Sequence, residues 1–350
     1  MRVGLIARAD NTGLGIQSKE FFDHIPNCKA LVIDISGINL SNVVRPFPER
    51  FPNQHFYKLE SPFKRPDFSL PVDVINNFLT DIDILFAMET PYDYNIFHKA
   101  RKRGIKSILQ LNYELFSYPS DIHPKPDLFA APSMWNFEKI PGPKTFLPVP
   151  VNLTRFTRQD RPKHFIHIAG KLAMADRNGT SILQNALKYI RKRITLNVHA
   201  QESIAFRRPF NSEIIVNVNS TNRANYWDNY HGGILIMPRR YGGLCLPVNE
   251  ALAAGMPVIM PDCSPNNLWL PKEWLVDCRS SGFIKCKQQV ECFDVHPQAL
   301  AEKIDQFCDP DFYQEAVNKA IDLGKSISWQ YLLPTYQNIF EQCLAMKSNI

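Results

Sequence analysis

The sequence predicts an α/β fold of two doubly wound parallel-sheet domains facing a cleft, and three observations predict it. Residues 233–262, GILIMPRRYGGLCLPVNEALAAGMPVIMPD, read as strand, turn, helix, strand. Along the rest of the chain, short apolar runs rich in β-branched residues alternate with segments of helical period. A length of 350 residues is long for one core and suits two. The expected division is 1–157 and 158–328, with a closing helix at 329–350.

A hydrophobic content of 45% with 21% charged residues belongs to a globular chain and argues against a disordered one. No apolar run reaches the roughly 18 residues of a membrane helix, and the N-terminus opens directly on the strand-like MRVGLIA. The expectation is a protein without signal peptide or membrane span, working in the cytoplasm, or in the host cytoplasm if viral. Eight cysteines are scattered with no C-x-x-C pair, which suits reduced thiols and gives no metal spacing. Forty Lys plus Arg against 34 Asp plus Glu leave a formal charge of +6. That excess would help attract a nucleotide diphosphate, a nucleic acid or an anionic membrane face. The basic clusters at 99–106 (KARKRGIK) and 188–193 (KYIRKR) fall where helices end, so a dipole-complementing role is preferred to a nucleic-acid track.

Taken in order, Arg2–Ala7 form a strand, Asp10–Ile16 (DNTGLGI) a turn carrying Gly13 and Gly15, and Gln17–His24 a helix. Ala30–Ser36 and His55–Leu59 are strands, Val72–Leu79 is a helix, and Ile84–Met88 a further strand. Asp81 and Asp83 lie at the amino end of that strand and read as a turn, so no metal is expected. Glu89 stands at its carboxyl end, and the next strand, Lys106–Leu111, leads to Glu114. Two carboxylates thus follow successive strands at one sheet edge. They could orient or deprotonate a substrate hydroxyl, or each could cap a helix or bind a local Arg. Asp127–Ser133 closes the first sheet.

The second domain opens on the strand His164–Ala169, followed by a helix in which Ile182, Leu183, Ala186, Leu187 and Ile190 keep helical spacing. Ile194–His199 is a strand ending at Gln201, Ile214–Val218 another, and Asn222–Tyr230 a short helix. Ile234–Met237 is a buried strand, Arg239–Cys245 a glycine-containing turn, and Pro247 enters the first turn of a helix where its missing N–H costs nothing. Gly255 ends that helix and Val258–Met260 is the next strand. The turn therefore lies at the carboxyl edge of a parallel sheet, where such folds bind ligands. Its helix N-terminus suits a phosphate, and Glu250, one turn inside, could accept two ribose hydroxyls or be a plain surface carboxylate. Ala299–Phe307, Phe312–Leu323 and Trp329–Met346 are helices. His167 and His199, on strand segments, read as core residues rather than ligands.

This stretch resembles the donor-binding signature of retaining GT-B glycosyltransferases, the glycosyl transferases group 1 type. Gly243, Leu246, Pro247, Glu250, Ala251, Leu252, Ala253, Gly255, Pro257 and Val258 match it. Gly242 stands where the family has its first Glu, and Cys245 where it has a second Gly. The resemblance implies two Rossmann-like domains and gives Glu250 the ribose. The first Glu usually contacts the donor sugar, and this chain lacks it. Gly170-Lys171 and Arg177-Asn178-Gly179 resemble the segment whose two cations grip the diphosphate. The loop with Gly13 and Gly15 resembles one that faces donor phosphates or acceptor. Gln201, Tyr241, Gly243, Leu244, Cys245 and Leu246 complete the implied donor site. Thr145–Phe156 resembles the interdomain segment, and the closing helix would cross back to the first domain. DRNGT with RRYGGLCLP also resembles bacteriophage glycosyltransferases.

The implied function is transfer of a sugar from a UDP- or GDP-sugar to an acceptor hydroxyl, with retention, metal-independent and with no cofactor beyond that co-substrate. Lys171 and Arg177 would neutralise the leaving diphosphate, with Glu89 and Glu114 on the acceptor side. The acceptor could be a hydroxymethylated DNA base, a virion protein or a carbohydrate. The alternative is a nucleotide-sugar-binding protein of the same fold without turnover, motivated by Gly242.

Overall fold

A computed structural model of the chain describes residues 1–36, 46–59, 69–116, 124–156, 164–170, 175–206, 212–218 and 232–347. Contacts divide it into two compact units, Met1–Val149 with Leu332–Ile350, and Pro150–Tyr331.

The first unit runs β1 (Val3–Ala7), α1 (Gly13–His24), β2 (Cys28–Asp34), β3 (His55–Lys58), α2 (Val72–Phe78), β4 (Ile84–Met88), α3 (Asn95–Arg101), β5 (Lys106–Gln110), β6 (Leu128–Ala131) and β7 (Lys144–Phe146). Its seven strands pair in the order β3-β2-β1-β4-β5-β6-β7, every pair parallel. β1, β4 and β5 are buried at every residue, as strands covered on both faces must be. The order reverses between β1 and β4, so the chain segments leaving those two strands splay apart at their carboxyl ends.

Helix α1 begins at Gly13, four residues before the expected Gln17. DNTG is a cap rather than a free turn: Thr12 Oγ1 accepts from Gly15 N at 3.3 Å, and Asp10 Oδ1 accepts from Thr12 N at 2.9 Å. The acidic turn before β4 anchors the first strand, with Arg2 N donating to Asp83 Oδ2 at 2.6 Å.

The second unit continues β8 (Phe165–Gly170), α4 (Thr180–Ala186), β9 (Ile194–Ala200), β10 (Ser212–Val218), β11 (Ile234–Ile236), α5 (Leu246–Ala253), β12 (Val258–Pro261), β13 (Leu275–Val276), β14 (Cys278–Lys285), β15 (Gln289–Val295), α6 (Pro297–Phe307) and α7 (Pro310–Ser326). Six of its strands form a second parallel sheet in the order β10-β9-β8-β11-β12-β13, reversing between β8 and β11. Together with the first sheet this makes an α/β architecture of two parallel sheets with helices, as expected. The antiparallel hairpin β14–β15 was not anticipated. Only Val290, Cys292 and Val295 of β15 are buried, and the other hairpin strand has no fully buried residue, so its apolar signal is thin. The expected helix at Asn222–Tyr230 lies outside the described residues.

Helix α8 (Trp329–Ala345) closes the chain and from Leu332 belongs to the first unit. There Tyr336 and Phe340 meet Phe21 of α1 and Phe86 of β4 in one aromatic cluster. Phe21 stacks on Phe86 at 4.6 Å, Phe340 meets Phe86 edge-on at 6.0 Å, and Tyr336 Oη donates to Pro148 O at 3.0 Å.

Candidate functional site

At the carboxyl end of the first sheet, a small pocket is lined by residues including Leu14, Gln17, Glu89, Gln110, Asn112 and Pro132. Glu89 leaves β4 with φ 61°, a left-handed conformation that costs a non-glycine residue about 1–3 kcal/mol. Its N–H donates to Gln110 O at 2.6 Å and its Oε2 accepts from Asn112 Nδ2 at 3.1 Å. Strand pairing therefore fixes the backbone of Glu89 and Asn112 fixes its carboxylate. Glu114 does not share this cavity. The chain turns into a 3-10 helix at Tyr113–Leu115 that carries its side chain inward, to 1% exposure. The expected pair of carboxylates at one edge is thus reduced to Glu89.

Gly13 is exposed at the start of α1, and Gly15 is buried. A Cβ on Gly15 would overlap the Asp10 carbonyl, so this glycine is explained by the tight cap, whatever else it faces.

In the second unit, the segments leaving β8 and β11 meet. Gly170 ends β8 at φ 64°, and its carbonyl accepts from Gln201 N at 3.1 Å. Asn178 Nδ2 donates to the carbonyls of Ile168 and Ala169 at 3.0 and 3.2 Å. Gly170, Asn178 and Gln201 are thereby brought together, with the Asn178 amide serving to pin the strand end. Lys171 lies outside the described residues. Asp176 accepts from the N–H groups of Thr180 and Ser181, both at 2.8 Å, and so occupies the start of α4. Gly179, at φ 70°, packs so closely on Pro238 that a Cβ would overlap its carbonyl oxygen.

That contact sets Arg177 beside the turn after β11. Arg240 N donates to Arg177 O at 2.8 Å, Arg177 Nε donates to Tyr241 O at 3.4 Å, and the guanidinium lies 5.3 Å from the centre of the Tyr241 ring. Burial pushes the Tyr241 phenol up to about 12, so it stays protonated. The turn Gly242–Cys245 then opens α5, with Pro247 in its first turn as expected. Gly243, Leu244, Cys245 and Leu246 are half-buried there. Glu250 is 1% exposed, which removes the reading of a surface carboxylate. An ionised group placed so deep needs polar or charged company.

His167 is fully buried between its neighbours, Nδ1 at 2.8 Å from Ile236 O and Nε2 at 2.8 Å from Thr180 Oγ1. With Nδ1 donating to the carbonyl, Nε2 accepts the hydroxyl proton, so the imidazole is neutral. Burial pushes its pKa down to about 4, and does the same to His199. His167 is a core residue as expected, while His199 is half-buried.

Two residues escaped the sequence reading. Arg239 is 9% exposed, with Nε donating to Tyr241 O at 3.1 Å and Nη2 to Leu244 O at 2.8 Å. Arg240 instead reaches the unexpected hairpin, where Asp294 accepts from its Nε at 2.6 Å. The available signal was an Arg doublet at the carboxyl end of a parallel strand. Among the described residues no group of three or more His, Cys, Asp or Glu is arranged to hold a metal ion, and no helix is long and apolar enough to cross a membrane.

No family model matches the chain, and no curated protein is similar to it in sequence. Solved structures share its fold. Sucrose-phosphate synthase from Thermosynechococcus elongatus superposes with a TM-score of 0.66 over 99% of this chain and 99% of its own, at 12% identity. The lipopolysaccharide outer core galactosyltransferase WaaB gives 0.59 over 98% and 100%, at 14% identity. Anabaena HepE in complex with UDP gives 0.58 over 99% and 100%, at 10% identity. At these identities the likeness is one of fold, two Rossmann-like units in one chain.

Proposed function

We propose that this chain is a glycosyltransferase that moves a sugar from a nucleoside diphosphate sugar, a UDP- or GDP-sugar, to an acceptor hydroxyl. The observation that carries the reading is the meeting of Arg177 with the turn that opens α5, at the carboxyl edge of the second sheet. A fixed cation there, beside amides of a helix start, suits the diphosphate of a leaving nucleotide. The shared fold supports it, because HepE was solved with UDP and pneumococcal GtfA, which covers 78% of this chain with a TM-score of 0.53, with UDP and GlcNAc.

In this mechanism Lys171 and Arg177 neutralise charge that grows on the diphosphate as the glycosidic bond breaks. N–H groups after Gly243 add further donors, and Glu250 accepts the ribose hydroxyls. Glu89, held by Asn112, orients the acceptor hydroxyl on the first unit. Anomeric configuration is retained, the departing phosphate taking the acceptor proton. A nucleotide-sugar-binding protein without turnover is the second reading, favoured by the glycine at position 242.

Thermal melting with UDP-, GDP- and ADP-sugars identifies the donor, since a ligand bound to the folded state raises stability by mass action. The stabilising donor, labelled in its sugar, is then incubated with hydroxymethylated DNA, protein and carbohydrate acceptors. Transfer or hydrolysis supports the enzyme, and affinity without turnover supports the binder. Glu250→Ala should weaken donor binding and Lys171→Ala should slow the chemical step; full activity in both variants would refute the assigned pocket.

A further inference from the structure

The loop that leaves β12 and the strand that opens the hairpin bring two cysteines together. β12 and β13 pair in parallel with Pro261 opposite Val276, and Asp262 N continues the ladder by donating to Val276 O at 2.8 Å. Cys263 and Cys278 stand two residues further along the two chains, Cys278 as the first residue of β14. Neighbouring strands run about 4.8 Å apart, inside the roughly 4.4–6.8 Å between Cα atoms that a disulfide spans. The side chains meet as well as the backbones. Cys278 Sγ donates to Asp262 O at 3.4 Å, and the two thiols are hydrogen-bonded to each other.

The pair is unequal in a way that suits thiol–disulfide exchange. Cys278 is half-buried, and the hydrogen bond from Cys263 holds its thiol below the ordinary range against the opposing effect of burial. Cys263 is 9% exposed, and the same hydrogen bond together with burial pushes its thiol up. One sulfur is thus the reachable nucleophile, and the other waits behind it as a protonated donor. Elsewhere burial pushes the Cys28 and Cys343 thiols up to about 12, and Cys292 on β15 faces Gly282 rather than a cysteine.

We propose that Cys263 and Cys278 form a dithiol that a low-molecular-weight disulfide such as oxidised glutathione closes into a bridge, fastening the loop after β12 to the base of the β14–β15 hairpin. The Cys278 thiolate attacks one sulfur of the small disulfide. A protein–glutathione S–S bond forms, the original S–S bond breaks, and one glutathione leaves as a thiolate. The Cys263 sulfur then attacks that of Cys278 and expels the second glutathione. Two cysteine thiols are oxidised and one disulfide is reduced, both protons ending on the glutathione thiols. The site does not depend on the glycosyltransferase reading. It joins elements that border the turn before α5, because β12 lies beside β11 and Phe293 N of the hairpin donates to Arg240 O at 2.8 Å.

Mass spectrometry decides it. The reduced protein is incubated with oxidised glutathione under native conditions, quenched with acid and mapped without reduction. Wild type should lose the mass of two hydrogens and yield peptides joined through Cys263 and Cys278, which dithiothreitol separates. Cys263→Ser should stop at the first step and keep one glutathione on Cys278. In Cys278→Ser, Cys263 should react about tenfold more slowly than Cys278 does in wild type. A wild type that keeps glutathione on Cys278 without closing, that pairs other cysteines, or that stays fully reduced overturns the proposal. So does a Cys263 that reacts as fast without Cys278 as Cys278 does in wild type. Circular dichroism checks the fold of each variant. Should Cys263→Ser fail to fold, Cys263→Ala replaces it, and the wild-type map tests the bridge by itself.

Discussion

Single residues carry two constraints that set both stability and the site. His167 is neutral in the fold, with its pKa pushed from 6.5 to about 4 by burial. Its folded value lies below the unfolded one, so the unfolded chain takes up a proton first as pH falls. Stability from this residue is full above pH 6.5 and is lost progressively down to about pH 4. The loss should not exceed about 1.4 kcal/mol per pH unit for one histidine. Urea unfolding across that interval measures it, and a pH-independent midpoint would contradict the assignment. Gly179 is constrained differently. Its positive φ and its contact with the Pro238 carbonyl leave no space for a methyl group. Gly179→Ala should lose about 3 kcal/mol, read from the same urea curves, and an unchanged midpoint would show that Gly179 does not pack on Pro238 in the turn after β11.

At the scale of elements, the start of α4 is held by Asp176, which satisfies two N–H groups of the helix's first turn. Asp176→Ala should cost about 1 kcal/mol, and because Arg177 is its neighbour, donor affinity should fall with it. A variant with full stability and affinity would mean that the cap neither holds the helix nor positions the cation. The same logic separates α1 from its expected description. DNTGLGI announces a glycine turn in sequence, yet Asp10 and Thr12 convert it into a cap and Gly15 into a packing necessity. Such an exchange was written in the residues, since Asp and Thr before a helical stretch are capping residues. The two glycines are compatible with a free turn as well as with a cap, so their spacing does not separate the two.

On the scale of the whole molecule, each unit has a parallel sheet whose order reverses once, and at the carboxyl strand ends near each reversal lie Glu89 in the first unit and Gly170, Arg177 and Asn178 in the second. Helix α8 stabilises the first unit by placing Phe340 against Phe21 and Phe86, fully buried. Phe340→Ala should destabilise that unit by about 3–5 kcal/mol, with near-ultraviolet circular dichroism reporting the loss of aromatic packing. Retained dichroism and an unchanged melt would show the helix to be dispensable. Much of this architecture was legible beforehand, because buried strands such as Ile84–Met88 and the Pro247 helix start are local patterns that any observer of the residues can read. The chain by itself determined its alternation of strands and helices, its two sheets, and the turn that opens α5. Only the tertiary structure decided that Glu114 is interior while Glu89 faces a cavity, that Asn178 pins a strand end, and that Arg239 converges with Arg177 over Gly242. Those outcomes depend on which residues distant in sequence become neighbours, and periodicity and propensity carry no information about that.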